Sequence, residues 1–145
     1  VKESIRVAAG EPLSIQQEDV RISGHAIECR INAEDPDRDF MPQPGLVEIF
    51  QPAGGFGVRV DTHVRPGYCI PPNYDSMIGK LIVHGCDRAE AIAKMKRAID
   101  EFRIGPIKTT LPLHRRLLGS APFVEHDFDI HWVEQLLEKQ QDAVA

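Results

Sequence analysis

Three stretches of this chain alternate side-chain character with period two, and each is closed off by glycine or proline. Ile27, Cys29 and Ile31 alternate with Glu28, Arg30 and Asn32. Val58, Val60, Thr62 and Val64 alternate with Arg59, Asp61, His63 and Arg65. Met77, Gly79, Leu81 and Val83 alternate with Ile78, Lys80, Ile82 and His84. Successive side chains of a strand point to opposite faces, so the first two patterns predict half-buried strands with one polar face. The third is largely apolar on both faces, which predicts a central strand. Leu46 to Phe50 reads as a further strand. Residues 34–45 hold three prolines and four acids and are expected as a loop. Residues 52–57, PAGGFG, are expected as a hairpin turn whose glycines supply positive φ angles.

The second half changes period. Asp87 followed by Glu90 resembles a capping box, and Ile92, Met95, Ile99 and Phe102 form one helical stripe. Glu90–Lys94 and Arg97–Glu101 are spaced as ion pairs on the outer surface of that helix. Further helices are expected over about 110–118 and 130–138. Strands first and helices afterwards predict an α+β domain: an antiparallel sheet with helices packed on one side. The opening VKESIRVAAG is itself helical, with Gly10 as its stop and no cap before it. The chain is therefore expected to be one domain, 1–145, cut from a longer polypeptide, with 1–10 the end of a helix that continues from the missing part.

Composition excludes several classes. A net charge of −5 with no clustered lysine and arginine argues against a nucleic-acid surface. No run approaches the ~20 apolar residues of a membrane span, and no signal peptide opens the chain. Three cysteines without a C-x-x-C suggest free thiols, Cys29 buried, and hence a reducing, cytoplasmic setting. The six histidines lack metal-ligand spacing, and Glu34, Asp35, Asp37 and Asp39 lack the glycine and glutamate of a calcium loop. No metal site is expected in this chain. Gly54–Gly57 leads into a strand, without the lysine and helix of a phosphate loop. Met95–Lys96 lies inside an amphipathic helix, with Met95 on its buried stripe and Lys96 on a solvated face.

The candidate for chemistry is Arg59, whose fork of donors suits bicarbonate, a carboxylate, phosphate or a ureido oxygen. From spacing alone, a surface arginine paired with Asp61 or a cross-strand acid is the favoured reading. Taken together, however, GHAIECRINAEDP (24–36), PAGGFGVRVDTHVRPGYCIPPNYDSMIGKLI (52–82) and IKTTLPLH (107–114) closely resemble the C-terminal domain of biotin carboxylase. The resemblance runs from Val1 to about Leu137. It implies a part of an ATP-dependent ligase that carboxylates carrier-bound biotin with bicarbonate, as in acetyl-CoA carboxylase and fatty acid synthesis. It also implies that Arg59 is catalytic and contacts bicarbonate or biotin, with Asp61, Asp75 and Lys80 as possible supports. ATP, Mg (or Mn) and biotin would serve the whole enzyme. Their binding residues belong upstream, so the fragment alone is expected to be inactive and to bind none of them.

The implied partners are the N-terminal and ATP-grasp regions of the same polypeptide, a biotin carboxyl carrier protein, and a second copy in a homodimer. One departure stands out. Gly105–Pro106 occupies the place where many members carry an acid that can pair with the active-site arginine, leaving Asp61 or Asp75 to pair with Arg59. The short tail QDAVA favours a stand-alone biotin carboxylase over a pyruvate or propionyl-CoA carboxylase. Two further alternatives are a non-catalytic module for dimerisation or carrier docking, and the end domain of another ATP-grasp ligase such as a purine-pathway carboxylase.

Overall fold

The computed structural model describes residues 1–142. Its centre is a three-stranded antiparallel sheet in the order β1 (His25–Asn32), β8 (Met77–Gly85), β6 (Val58–Thr62). The nine-residue β8 is the central strand, as its two-sided apolar pattern predicts. Register places Ile27 and Val58 opposite Val83, and Cys29 and Val60 opposite Leu81, so these side chains share the core face. Helix α2 (Arg88–Glu101) covers that face with Ala91, Ile92, Met95, Ala98 and Ile99, all buried. The fold is thus α+β, an antiparallel sheet with its helix layer on one side. Cys29 is a free thiol in this core, and burial pushes its pKa up to about 12.

The helix starts where its sequence predicts. Asp87 Oδ1 accepts from the Glu90 amide at 2.8 Å. The Glu90 carboxylate accepts from the Cys86 amide at 2.5 Å, one residue before the cap itself. On the outer surface the Glu90–Lys94 and Arg97–Glu101 pairs form at 2.9 and 2.7 Å.

Three expectations need correction. The stretch Leu46 to Phe50 is not one strand. It splits at Glu48 into β4 (Gly45–Val47) and β5 (Ile49–Gln51), which pair with β7 (Tyr68–Ile70) and β9 (Arg103–Gly105) respectively. Consequently Gly54–Gly57 is not a hairpin turn. It carries the chain from the β5–β9 pair to β6, which pairs with β8. The acidic loop contains a short ladder, β2 (Glu34–Asp35) with β3 (Met41–Pro42), around a single 3-10 turn at Pro36–Arg38.

The remaining helices are α1 (Lys2–Ala8), α3 (Leu111–Leu117), α4 (Ala121–Glu125) and α5 (Trp132–Asp142). Helix α4 has no counterpart in the sequence reading. At five residues it is too short for a period to register. No residue of 1–24 is buried.

Candidate functional site

The sheet has one face that α2 leaves open, and its composition follows from register. Glu28, Ile82 and Arg59 form one cross-strand row, and Arg30, Lys80 and Asp61 the next. Directly opposed residues of antiparallel strands project to the same side, so these six side chains share the open face. Arg59, Asp61 and Lys80, three of the residues singled out from sequence, are therefore brought together. Asp75 is not. Its Oδ1 accepts from the Met77 amide at 2.7 Å, anchoring the start of β8 beyond the end of these rows.

Charges on the face nearly cancel, and the pattern of cancellation is specific. Arg59 Nε donates to Asp61 Oδ1 at 2.9 Å and Nη2 to Oδ2 at 2.6 Å, a bidentate fork. This bond is the first cause of shifts that raise the Arg59 pKa and lower that of Asp61. Side-chain exposures of 71% and 43% leave the pair in solvent, where such bridges contribute little. Lys80 Nζ lies 3.7 Å from Glu28 Oε1. Three cations thus meet two carboxylates. Among the described residues the Arg30 guanidinium has no carboxylate within bridging distance and no hydrogen-bond partner, and Arg30 is exposed.

The Arg30 backbone is also held from outside the sheet. Its carbonyl oxygen accepts from Thr110 Oγ1 at 3.1 Å and from His114 Nε2 at 2.7 Å. The Asn32 amide donates to Thr110 Oγ1 at 3.0 Å, and the Thr110 amide to the Asn32 carbonyl at 3.1 Å. The outer edge of β1, which no strand covers, is instead closed by the start of α3. Burial lowers the His114 pKa and the bond to Arg30 opposes that shift, and a carbonyl partner requires the proton on Nε2. Sequence reasoning placed Arg30 on the polar side of β1 but did not single it out as the cation left without a carboxylate. The available signal was that Glu28–Lys80 and Arg59–Asp61 leave it the odd cation, which only strand register reveals.

Beside β6 the glycine-rich loop raises Phe56, 94% exposed. The Lys94 ammonium sits 5.6 Å from its ring centroid, and Arg97 Nη2 donates to the Gly54 carbonyl at 3.3 Å. Among the described residues no group of three His, Cys, Asp or Glu could hold a metal ion. No described helix is long and apolar enough to cross a membrane.

Known proteins resemble this chain in sequence and in fold. A biotin carboxylase from Pseudomonas aeruginosa is 55% identical over 94% of this chain and 30% of its own length. Biotin carboxylase 1 from Bacillus subtilis is 54% identical over 92% of this chain and 30% of its own. A subunit of the pyruvate carboxylase from Methanothermobacter thermautotrophicus is 53% identical over 93% of this chain and 28% of its own. Among solved structures, the biotin carboxylase domain dimer of the Hydrogenobacter thermophilus 2-oxoglutarate carboxylase, in complex with MgADP, ADP and bicarbonate, aligns with a TM-score of 0.86. It has 43% identity over 90% of this chain and 29% of that one. The chain spans about 30% of the length of the curated relatives it matches. The family profile described as the biotin carboxylase C-terminal domain matches residues 28–135, and with that match the chain belongs to the biotin carboxylase C-terminal domain family.

Proposed function

We propose that the chain is the C-terminal domain of a biotin-dependent carboxylase, and that its open sheet face is one wall of the carboxylation cleft. In the intact polypeptide the reaction is ATP-dependent carboxylation of carrier-bound biotin by bicarbonate, with nucleotide and magnesium held by an ATP-grasp region outside this chain. The exposed apolar residues Ile5, Leu13, Ile15 and Ile22 belong to the surface that meets that region.

One observation carries the site assignment: register sets Arg59 on the open face with its side chain 71% exposed. Bicarbonate is planar and anionic, and a guanidinium offers it two parallel N–H donors. Arg59 gives one edge of its fork to Asp61, an exposed pair that an incoming anion can open at little cost. Arg30, the cation on the face without a carboxylate, adds positive charge nearby. Lys80 and Asp61 hold the neighbouring charges in register, and Asp75 fixes the start of β8.

Arg59→Ala in the intact carboxylase is expected to lower kcat/KM for bicarbonate by about 100-fold, the effect of removing one charge-stabilising donor. Arg30→Ala should cost less than about tenfold, since it supplies charge and no direct bond. Unchanged kinetics in Arg59→Ala, or a larger loss in Arg30→Ala, would take Arg59 out of the site.

A second reading is favoured by Phe56. An aromatic 94% exposed beside Arg59 suits a contact with a second copy better than open solvent. Burying one phenylalanine contributes about 2 kcal/mol. In a two-fold interface it does so twice, about 4 kcal/mol or roughly a thousandfold in Kd. Phe56→Ala is therefore expected to weaken self-association by that order in sedimentation experiments. An unchanged dimer constant would remove Phe56 from any contact between copies.

The relatives include both biotin carboxylases and part of a pyruvate carboxylase. Acetyl-CoA as the eventual acceptor is proposed from the resemblance to stand-alone biotin carboxylases. Assay of the complex with acetyl-CoA against pyruvate tests it.

A further inference from the structure

The geometry points to Asp61 as the positioning residue for Arg59: it grips one edge of the guanidinium and leaves the opposite edge free for the anion. This inference rests on the assignment of the anion contact to Arg59.

A guanidinium has two edges that can meet a planar carboxylate or bicarbonate with paired N–H donors. The side edge combines Nε–H with one N–H of Nη2. The end edge combines one N–H from each of Nη1 and Nη2. Asp61 takes the side edge, with Oδ1 at 2.9 Å from Nε and Oδ2 at 2.6 Å from Nη2. Among the described residues Nη1 makes no hydrogen bond, and no second carboxylate bridges Arg59. The bridge can therefore stay closed while the end edge presents its two parallel donors. No other candidate acid supplies such a grip. Asp75 is engaged by the Met77 amide, Glu28 lies 3.7 Å from Lys80, and Gly105–Pro106 offers no carboxylate.

Asp61 is well placed for the task. It stands two residues from Arg59 on β6, so both side chains leave the same face, and the ladder to β8 fixes both backbones. The bond to Arg59 lowers the Asp61 pKa, and the charge of Lys80, its cross-strand neighbour, acts in the same direction. The carboxylate is thus kept ionised. An arginine on an open face otherwise samples many rotamers, each presenting the fork differently. Misplacement of a positioning group by about 1 Å costs up to about 100-fold in rate. An exposed bridge orients only in part, so its loss is expected to cost about tenfold.

A carboxylate beside the fork also cancels some of its charge. As a mere competitor, Asp61 would weaken anion binding; as a positioning residue it raises turnover. The two effects separate in kinetics. The test uses the intact carboxylase and measures kcat and KM for bicarbonate alongside thermal unfolding. Asp61→Ala is expected to lower kcat about tenfold while KM for bicarbonate stays level or falls. Asp61→Glu keeps a carboxylate and should recover kcat to within about threefold of the parent. In the Arg59→Ala background, adding Asp61→Ala should change kcat/KM by less than about twofold, because nothing is left to position. A lowered KM with parental kcat in Asp61→Ala would make Asp61 a competitor and overturn the inference. Parental kinetics at a lowered unfolding midpoint would make it merely structural, with the same consequence. A loss that glutamate does not rescue, or one that persists without Arg59, also sinks it. Arg59→Ala on its own tests the reading beneath: parental kinetics there would remove the assignment itself, whatever Asp61 does.

Discussion

At Gly57 the backbone takes φ +74°, and a Cβ there would lie 2.6 Å from the carbonyl oxygen of His84. The same glycine's carbonyl accepts from the His84 amide at 2.8 Å, so the loop is sewn to the central strand just before β6 begins. Gly57→Ala combines left-handed strain with a backbone clash and is expected to destabilise by about 3 kcal/mol, read as a lowered urea midpoint with unchanged m. A glycine-rich reversal was legible in the sequence, but what the glycine avoids was not, since His84 lies far along the chain. Arg59 was more legible: its alternation on β6 was plain, and spacing alone already offered Asp61 as the partner that the structure shows. Residue-scale electrostatics also give a pH prediction at His114. Burial holds its folded pKa below the ordinary 6.5, so the unfolded chain binds the proton more readily. The contribution to stability is complete above pH 6.5 and falls away as pH drops below it. His114→Gln should therefore flatten the loss of stability between pH 7 and 5 in denaturant titrations. A slope as steep as the parent's would show that another group titrates there.

Elements were readable in proportion to how locally they are determined. Helix α2 has fourteen residues, an Asp87 cap and a stripe at helical spacing, all visible in sequence. Its centre, Met95, is fully buried between the helix and β8. Met95→Ala is expected to cost about 3 kcal/mol through transfer and cavity terms, and Asp87→Ala about 1 kcal/mol through the lost cap. Both are measurable as additive shifts in equilibrium unfolding, because cap and core lie two turns apart. Strand β9, by contrast, is three residues long and exists because Gln51, Phe50 and Ile49 lie opposite it. Nothing within Arg103–Gly105 encodes that pairing. The split of 46–50 at Glu48 has the same origin: its amide donates to the Gly105 carbonyl at 2.9 Å, a bond between residues distant in sequence. The missed pairings are short ladders whose partners the local pattern cannot name.

For the molecule as a whole, the core is complete without its first twenty-odd residues. The sheet, α2 and α3 bury Ile31, Val47, Leu81, Val83, Met95 and Leu111 among themselves. The stretch 1–22 buries nothing and keeps Ile5, Leu13, Ile15 and Ile22 at 64, 61, 54 and 96% exposure. Attachment to the core begins only at Ser23, whose carbonyl accepts from His84 Nε2 at 3.0 Å, and at Gly24, packed against Gly85. Removing residues 1–22 should therefore change the unfolding free energy of the domain by no more than about 0.5 kcal/mol, the scale of surface changes. The same deletion removes most of an apolar strip that only neighbouring polypeptide could cover, so the shortened domain should bind less of a hydrophobic dye and self-associate less. Limited proteolysis supplies the matching arm. In the isolated chain, cleavage is expected between Gly10 and Ile22 before any cut in β1 to α3, because α1 makes no buried contact. In the intact carboxylase the same sites should be protected. A large loss of stability on deletion would mean that this stretch belongs to the domain's own core. Equal cleavage in both forms would mean that no neighbouring region packs against it.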